Sequence, residues 1–153
     1  DLRRMEIEAL RKALRRHHGD AWERVEAIVR GGPAAAPADM VRARYSAMVL
    51  SDPGFLAATE AVEGESVAQR TERWIAAMGL NSDTPPLVKD VGKVAKLDIV
   101  RSEGLVVDYI VSFGGADDMR HTGTFRNHPE YGFVFVADGS SKAREAAPGA
   151  RAA

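Results

Sequence analysis

The chain has 153 residues, 45% of them apolar and 28% charged, with no cysteine and a formal charge of −1. That length can enclose a sizeable apolar interior, and the near-neutral charge excludes whole-molecule attraction to nucleic acid or to an anionic membrane. The missing thiols exclude disulfides, thiolate zinc sites and cysteine nucleophiles.

No apolar run reaches the ~18 residues of a membrane helix, and the N-terminus lacks the apolar centre of a secretion signal. The expected setting is soluble, in the cytoplasm or within an assembled particle. Because the chain opens on Asp1 rather than methionine, a processed product or an excerpt of a longer protein is expected.

In residues 2–17, Ile7, Leu10, Ala13 and Leu14 fall on one side of a 3.6-residue wheel, with Arg4, Arg11 and Arg15 opposite, predicting an amphipathic helix. Gly19 can end it in the left-handed conformation. Asp20 and Glu23 have the spacing of a capping box, and Trp22, Val25 and Val29 supply the buried stripe of a second helix closed by Gly31 and Gly32. The stretch GGPAAAPAD at 31–39 reads as a linker, since its glycines interrupt helix and its prolines stiffen an extended connection.

Helical spacing resumes over 37–50 through Val41, Tyr45 and Met48. Asp52 before Pro53 predicts a capped start to a short helix with Phe55, Thr59 and Val62 inward. Ser66 and Gln69 form a second capping-box pair, opening a helix with Val67, Thr71, Trp74 and Met78 on one stripe and Gly79 at its end. Residues 86–95 keep helical spacing through Leu87, Val91 and Val94.

From Leu97 the period changes to two. Leu97 and Ile99 share one face of a strand, residues 102–104 fit a hairpin turn, and Leu105, Val107, Tyr109, Val111 and Phe113 line one side of the return strand. Val106 and Ile110 on the other side mark that strand as central. Residues 131–137, YGFVFVA, look similar, and 139–153 form a small, polar tail.

The fold class these elements predict is α+β: a helical N-terminal half of about five or six helices packed on a small antiparallel sheet in the C-terminal third. The expected organisation is a helical hairpin at 1–30, a linker at 31–39, a helical and β-sheet core at 40–138 and a tail at 139–153.

Between the strands lies FGGADDMRHTGTFRNHPEYGF at 113–133, with two of the four histidines. Read as one connection, it exceeds the ~12–15 residues beyond which structureless loops are uncommon; a short strand at 121–126 would turn it into an ordinary meander. Met119, Arg120, Phe125, Arg126 and Tyr131 are residue types enriched at protein contacts. Burial of Phe125 and Tyr131 in the domain's own core is the competing reading. Asp117, Asp118, His121, His128 and Glu130 are the metal-ligand candidates, and on a strand Asp118 and His121 point to opposite faces. The chain has no G-x-S-x-G elbow, no P-loop and no dinucleotide fingerprint.

On the first helix, Arg4, Arg11, Lys12, Arg15 and Arg16 form a basic side suited to phosphates, whereas Glu8, one turn from Arg4, Arg11 and Lys12, favours surface ion pairs. The sequence therefore points to a non-enzymatic protein-interaction or assembly domain. It would self-associate or join a larger assembly through 114–131 and the tail, without a cofactor or a membrane. The alternatives are a nucleic-acid-binding regulator using the basic helix face and a metal-dependent enzyme using the His/Asp segment.

The stretch YGFVFVADGSSKAREAAPGAR at 131–151 is similar in layout to the end of small tail-completion proteins of tailed phages, where a strand runs into glycine, a hydroxyl residue, a basic residue and a later proline. Residue 137 is alanine where that layout has an acidic residue, and the helical front half has no counterpart there. The likeness implies no function for the whole chain.

Overall fold

The computed structural model describes residues 2, 6–80, 96–112 and 118–137. Helix α1, Ile7–His18, begins where the Glu6 carboxylate accepts hydrogen bonds from the Glu8 and Ala9 amides, and it ends at Gly19 with φ 54°. A single 3-10 turn, Gly19–Ala21, leads into α2, Trp22–Val29. The capping box expected from Asp20 and Glu23 is therefore not formed. Ala21 precedes α2 in near-helical conformation and the Trp22 amide bonds the Gly19 carbonyl, so the turn's own backbone takes the side chain's role.

Helix α3, Pro37–Val49, carries its proline in the first turn. Helix α4, Pro53–Ala58, is capped by Asp52, whose Oδ1 accepts from the Phe55 amide at 3.1 Å. It makes only six residues. The helical path expected through Val62 is replaced by strand β1, Glu60–Val62, because the Phe135 amide bonds the Thr59 carbonyl at 2.9 Å and draws the chain onto a sheet edge. Helix α5, Val67–Ala77, has the Ser66/Gln69 capping box complete, at 3.2 and 2.8 Å.

Four helices of eight residues or more are thus present among the described residues, with α4 as an extra short turn. This is fewer than the five or six expected, and the helix expected over 86–95 lies outside the described residues. The α5 stripe also differs. Val67 is half exposed, and its buried residue is Arg70.

Strands β2 (Lys96–Glu103), β3 (Val106–Ser112), β4 (Met119–His128) and β5 (Gly132–Ala137) form, with β1, one five-stranded sheet in the order β1-β5-β4-β3-β2. It is mixed rather than antiparallel: β1 runs parallel to β5 while the other pairs are antiparallel. A parallel pair needs a crossover, here supplied by α5 and the three intervening strands. β3 is internal, as its two apolar faces suggest.

The segment read as a long connection is mostly β4, so the meander reading holds. Phe125 is 2% exposed and packs edge-on against Phe135 with ring centres 5.7 Å apart. Burying an aromatic ring releases more water-ordered surface than a surface turn could return, and this places Phe125 in the core rather than at an external contact.

Helices α1–α4 pack around Leu10, Leu14, Val25, Val29, Met40 and Leu56, and this core continues onto the sheet through Val107, Phe125 and Phe135. The segment leading into α3 is docked on the β4–β5 turn: the Ala34 amide bonds the Tyr131 carbonyl at 2.9 Å, and Ala34 is buried. Gly132 (φ 79°) lies against it, where a Cβ would collide with the Ala34 backbone.

Candidate functional site

Alternation along the strands sends one set of side chains toward the helices. From the registers, Tyr109, Val111, Met119, His121, Gly123, Phe125, Phe135 and Ala137 share that face with Glu60 of β1. Helix α3 crosses it and presents Val41, Arg44, Tyr45 and Met48, while α4 adds Leu56 and α5 adds Arg73 and Trp74. Between them is a cavity of about 200 Å³ with predominantly aromatic and aliphatic walls. Gly123 belongs to the packing around it: a Cβ there would come within 3.2 Å of the Phe125 ring and 3.4 Å of the Tyr109 ring.

One wall is charged. The Glu60 side chain, 2% exposed, accepts from Arg73 Nη2 at 2.7 Å and Trp74 Nε1 at 3.0 Å on Oε1, and from Arg44 Nη2 at 3.1 Å on Oε2. Arg44 Nη1 also donates to the Leu56 carbonyl (2.8 Å) and Thr59 Oγ1 (2.9 Å), and its guanidinium lies 5.2 Å from the Phe135 ring centre. Arg73 Nη2 reaches Glu65 at 3.1 Å as well. Its pKa is raised: burial works against the charge, and the two carboxylates outweigh it. Arg70 is buried beside them, donating to the Ala57 and Glu65 carbonyls at 2.8 Å each. A buried carboxylate held by several donors has its desolvation offset only while that set is complete.

A second polar cluster sits where α1 meets α3. His17 Nδ1 and His18 Nε2 lie 2.8 and 2.6 Å from the same Ser46 Oγ, and both rings pack edge-on against Tyr45. Ser46 is fully buried. One hydroxyl has one proton, so it donates to one imidazole while accepting from the other. Burial pushes His17 down to about 4, helped by Arg16, and His18 down to about 3, helped by His17 and Arg42. Burial also pushes Tyr45 up to about 12.

The residues singled out from the sequence separate. Met119, His121 and Phe125 face the cavity. Arg120 and Arg126 alternate with them onto the opposite, outer face. Tyr131 is half-buried against the His128 ring, centres 5.0 Å apart. His128 Nδ1 accepts from the Glu130 and Tyr131 amides at 3.1 and 3.2 Å, which commits it to a turn.

His121 stacks on Tyr109 with centres 5.0 Å apart. Seven positions along one strand put His121 and His128 roughly 23 Å apart and on opposite faces, so they cannot share an ion. Asp118 is exposed, Asp117 lies outside the described residues, and no group of three or more metal-ligating side chains occurs among the described residues.

On the basic helix, Arg11 pairs with Glu26 at 2.6 Å and with Glu8 at 3.7 Å, Arg15 lies 4.3 Å over the Trp22 ring, and Arg16 Nη2 is 3.5 Å from His17 Nε2. Lys12 is exposed, and Arg4 lies outside the described residues. Intramolecular partners therefore already engage three of the five cations proposed for phosphates.

Sequence reasoning missed Glu60, Arg44, Arg73 and the Ser46 cluster. Arg44 did carry a signal: it stands three residues after Val41 and four before Met48, on the inward stripe of α3, where an arginine requires a buried acceptor. Comparison of the chain with protein-family models, curated proteins and solved structures finds no match.

Proposed function

We propose that this chain is a non-enzymatic small-molecule-binding domain, its ligand lying between the sheet and helices α3 and α5. The carrying observation is the cavity of about 200 Å³ whose apolar lining meets one compact charged wall. Apolar area with a few convergent polar groups is the usual make-up of ligand sites. Binding is favoured over catalysis because both Glu60 oxygens are occupied by protein donors and serve to hold Arg73 and Trp74. The test is a fragment screen read by the methyl resonances of Met48 and Met119, with Val111→Phe as a cavity-filling control. Fragments that shift both methyls in the parent protein and neither in the variant are expected. A screen in which no fragment moves them overturns the reading.

Protein contact is the second reading, favoured by Val100, Leu105 and Val106, which are all exposed at the outer end of the β2–β3 hairpin. They replace Phe125 as contact candidates, and the tail at 139–153 lies outside the described residues. Light scattering tests it: Leu105→Asp lowers the particle mass if the hairpin joins copies, and an unchanged mass removes the hairpin from consideration. No helix of the described residues is long and apolar enough to cross a membrane.

A further inference from the structure

We propose that the cavity takes a neutral aromatic ligand, a single ring without a charged substituent. The inference rests on the cavity being a ligand site and adds the chemistry of its occupant.

Size sets the scale. An apolar cavity of ~150 Å³ accommodates benzene, so about 200 Å³ admits one ring with a short substituent.

The walls favour a flat ring over a saturated ligand of the same size. Trp74, Tyr109, His121, Phe125 and Phe135 all line the cavity. They already pack on one another in the two ways that aromatic rings prefer: Tyr109 and His121 stack with planes 8° apart, and Phe125 meets Phe135 edge-on at 61°. A further ring can extend either arrangement, whereas a saturated ligand carries no quadrupole and gains only its buried area. Met48 and Met119, also in the lining, add polarisable sulfur that suits ring contact. The Trp74 indole is held in advance, its Nε1 donating to Glu60 at 3.0 Å, so little ordering of that side chain remains to be done on binding.

Charge works against an ionic ligand. Arg44, Glu60 and Arg73 line the cavity. Glu60 accepts from the two arginines through different oxygens, and Arg73 also meets Glu65, so two guanidinium groups face two carboxylates. The neighbouring Arg70 is spent on the Ala57 and Glu65 carbonyls and does not contribute to the lining. An anion that bound this wall would draw an arginine away from Glu60, and a cation would draw Glu60 away from its arginines. Either exchange leaves a buried charge without its partner. An ion that made no exchange would lose its water without compensation.

The rings offer a cation little in return, because the protein's own guanidinium groups already use them. Arg44 lies 5.2 Å from the Phe135 ring centre and Arg73 5.8 Å from that of Trp74. A neutral ring leaves all of these contacts in place.

The experiment titrates four ligands of one skeleton at neutral pH, followed through the Met48 and Met119 methyls: benzyl alcohol, cyclohexylmethanol, benzoate and benzylammonium. We expect benzyl alcohol to bind about three- to tenfold more tightly than cyclohexylmethanol, the scale of one aromatic pair. It should bind about a hundredfold or more tightly than either ion, the scale of breaking a buried ion pair. In Tyr109→Leu the preference for the aromatic alcohol should shrink while the ions stay excluded. Circular dichroism checks that the variant is folded, and the four ligands on the parent protein decide the question even if it is not.

Benzoate or benzylammonium binding as tightly as benzyl alcohol overturns the neutral assignment, and cyclohexylmethanol binding as tightly overturns the aromatic one. Both outcomes leave the cavity as a ligand site. Four silent ligands, where some other fragment moves both methyls, overturn the inference alone; silence from every fragment overturns the ligand site as well. An undiminished aromatic preference in folded Tyr109→Leu removes Tyr109 from recognition.

Discussion

Helix α3 has two flanks, and polar groups are handled differently on each. Toward α1 and α2, Asp39 is held by Arg42 at 2.8 Å and Arg24 at 3.3 Å, and Ser46 joins His17 and His18 in a closed set. Toward the sheet and α5, Arg44 and Arg73 converge on Glu60, yet a buried Arg73 Nε remains unmatched beside a cavity. On the first flank the carboxylate and the imidazoles are held by neighbouring side chains, while the Tyr45 hydroxyl is buried without a partner among the described residues. The second borders the cavity, and it is the flank on which the proposed ligand site lies.

Substitution can break this contrast most forcefully at Glu60. Glu60→Ala leaves Arg44 buried without its carboxylate and should lower unfolding free energy by about 3–5 kcal/mol in a denaturant titration. A loss below about 1 kcal/mol would mean the pair is screened like a surface bridge. Next in size, Gly123→Val pushes two methyls toward the Phe125 and Tyr109 rings and should destabilise by about 1–3 kcal/mol through overpacking. A neutral result would show that the rings can move apart and that the cavity is adaptable.

The closed flank predicts acid sensitivity. His17 and His18 protonate in the folded chain near 4 and 3, below the 6.5 of an unconstrained imidazole, so the unfolded state binds protons first as pH falls. Stability from this pair is fully present above about 6.5, declines as pH drops through 4 and levels off below 3. Thermal melts across that range should show a decline that Ser46→Ala reduces only in part, because burial is the larger cause of both shifts. The smallest effect is expected at Arg24, whose side chain is 57% exposed: Arg24→Ala should change stability by less than about 1 kcal/mol, since Arg42 keeps Asp39 paired. A larger loss would place Arg24 inside the network rather than at its rim.

Local signals carried much of the architecture. The stops at Gly19, the Pro37 and Asp52–Pro53 starts and the Ser66/Gln69 box are each settled by a few neighbouring residues, because a cap satisfies amides within one turn of itself. The two-residue period identified β3 and β5 for the same reason: burial on one face is written along a single strand. The Asp20/Glu23 pair failed as a cap because a 3-10 turn, joining α1 to α2, supplied the same hydrogen bonds from the backbone. The 113–133 stretch reads as a connection because Gly123 interrupts the inner face of β4 that Met119, His121 and Phe125 line, and because its outer face carries Arg120, Thr122, Thr124 and Arg126.

By itself, then, the amino-acid order determined a helical front, a β-rich rear, and where most helices begin. Only the tertiary structure decided that β1 joins the sheet parallel to β5, and that choice brings Glu60 to Arg44, Arg73 and Trp74 across three separate elements. The physical reason is range. Capping and periodicity act over a few residues, whereas a buried carboxylate selects its partners by proximity in space, and no spacing along the chain encodes which cations will surround it.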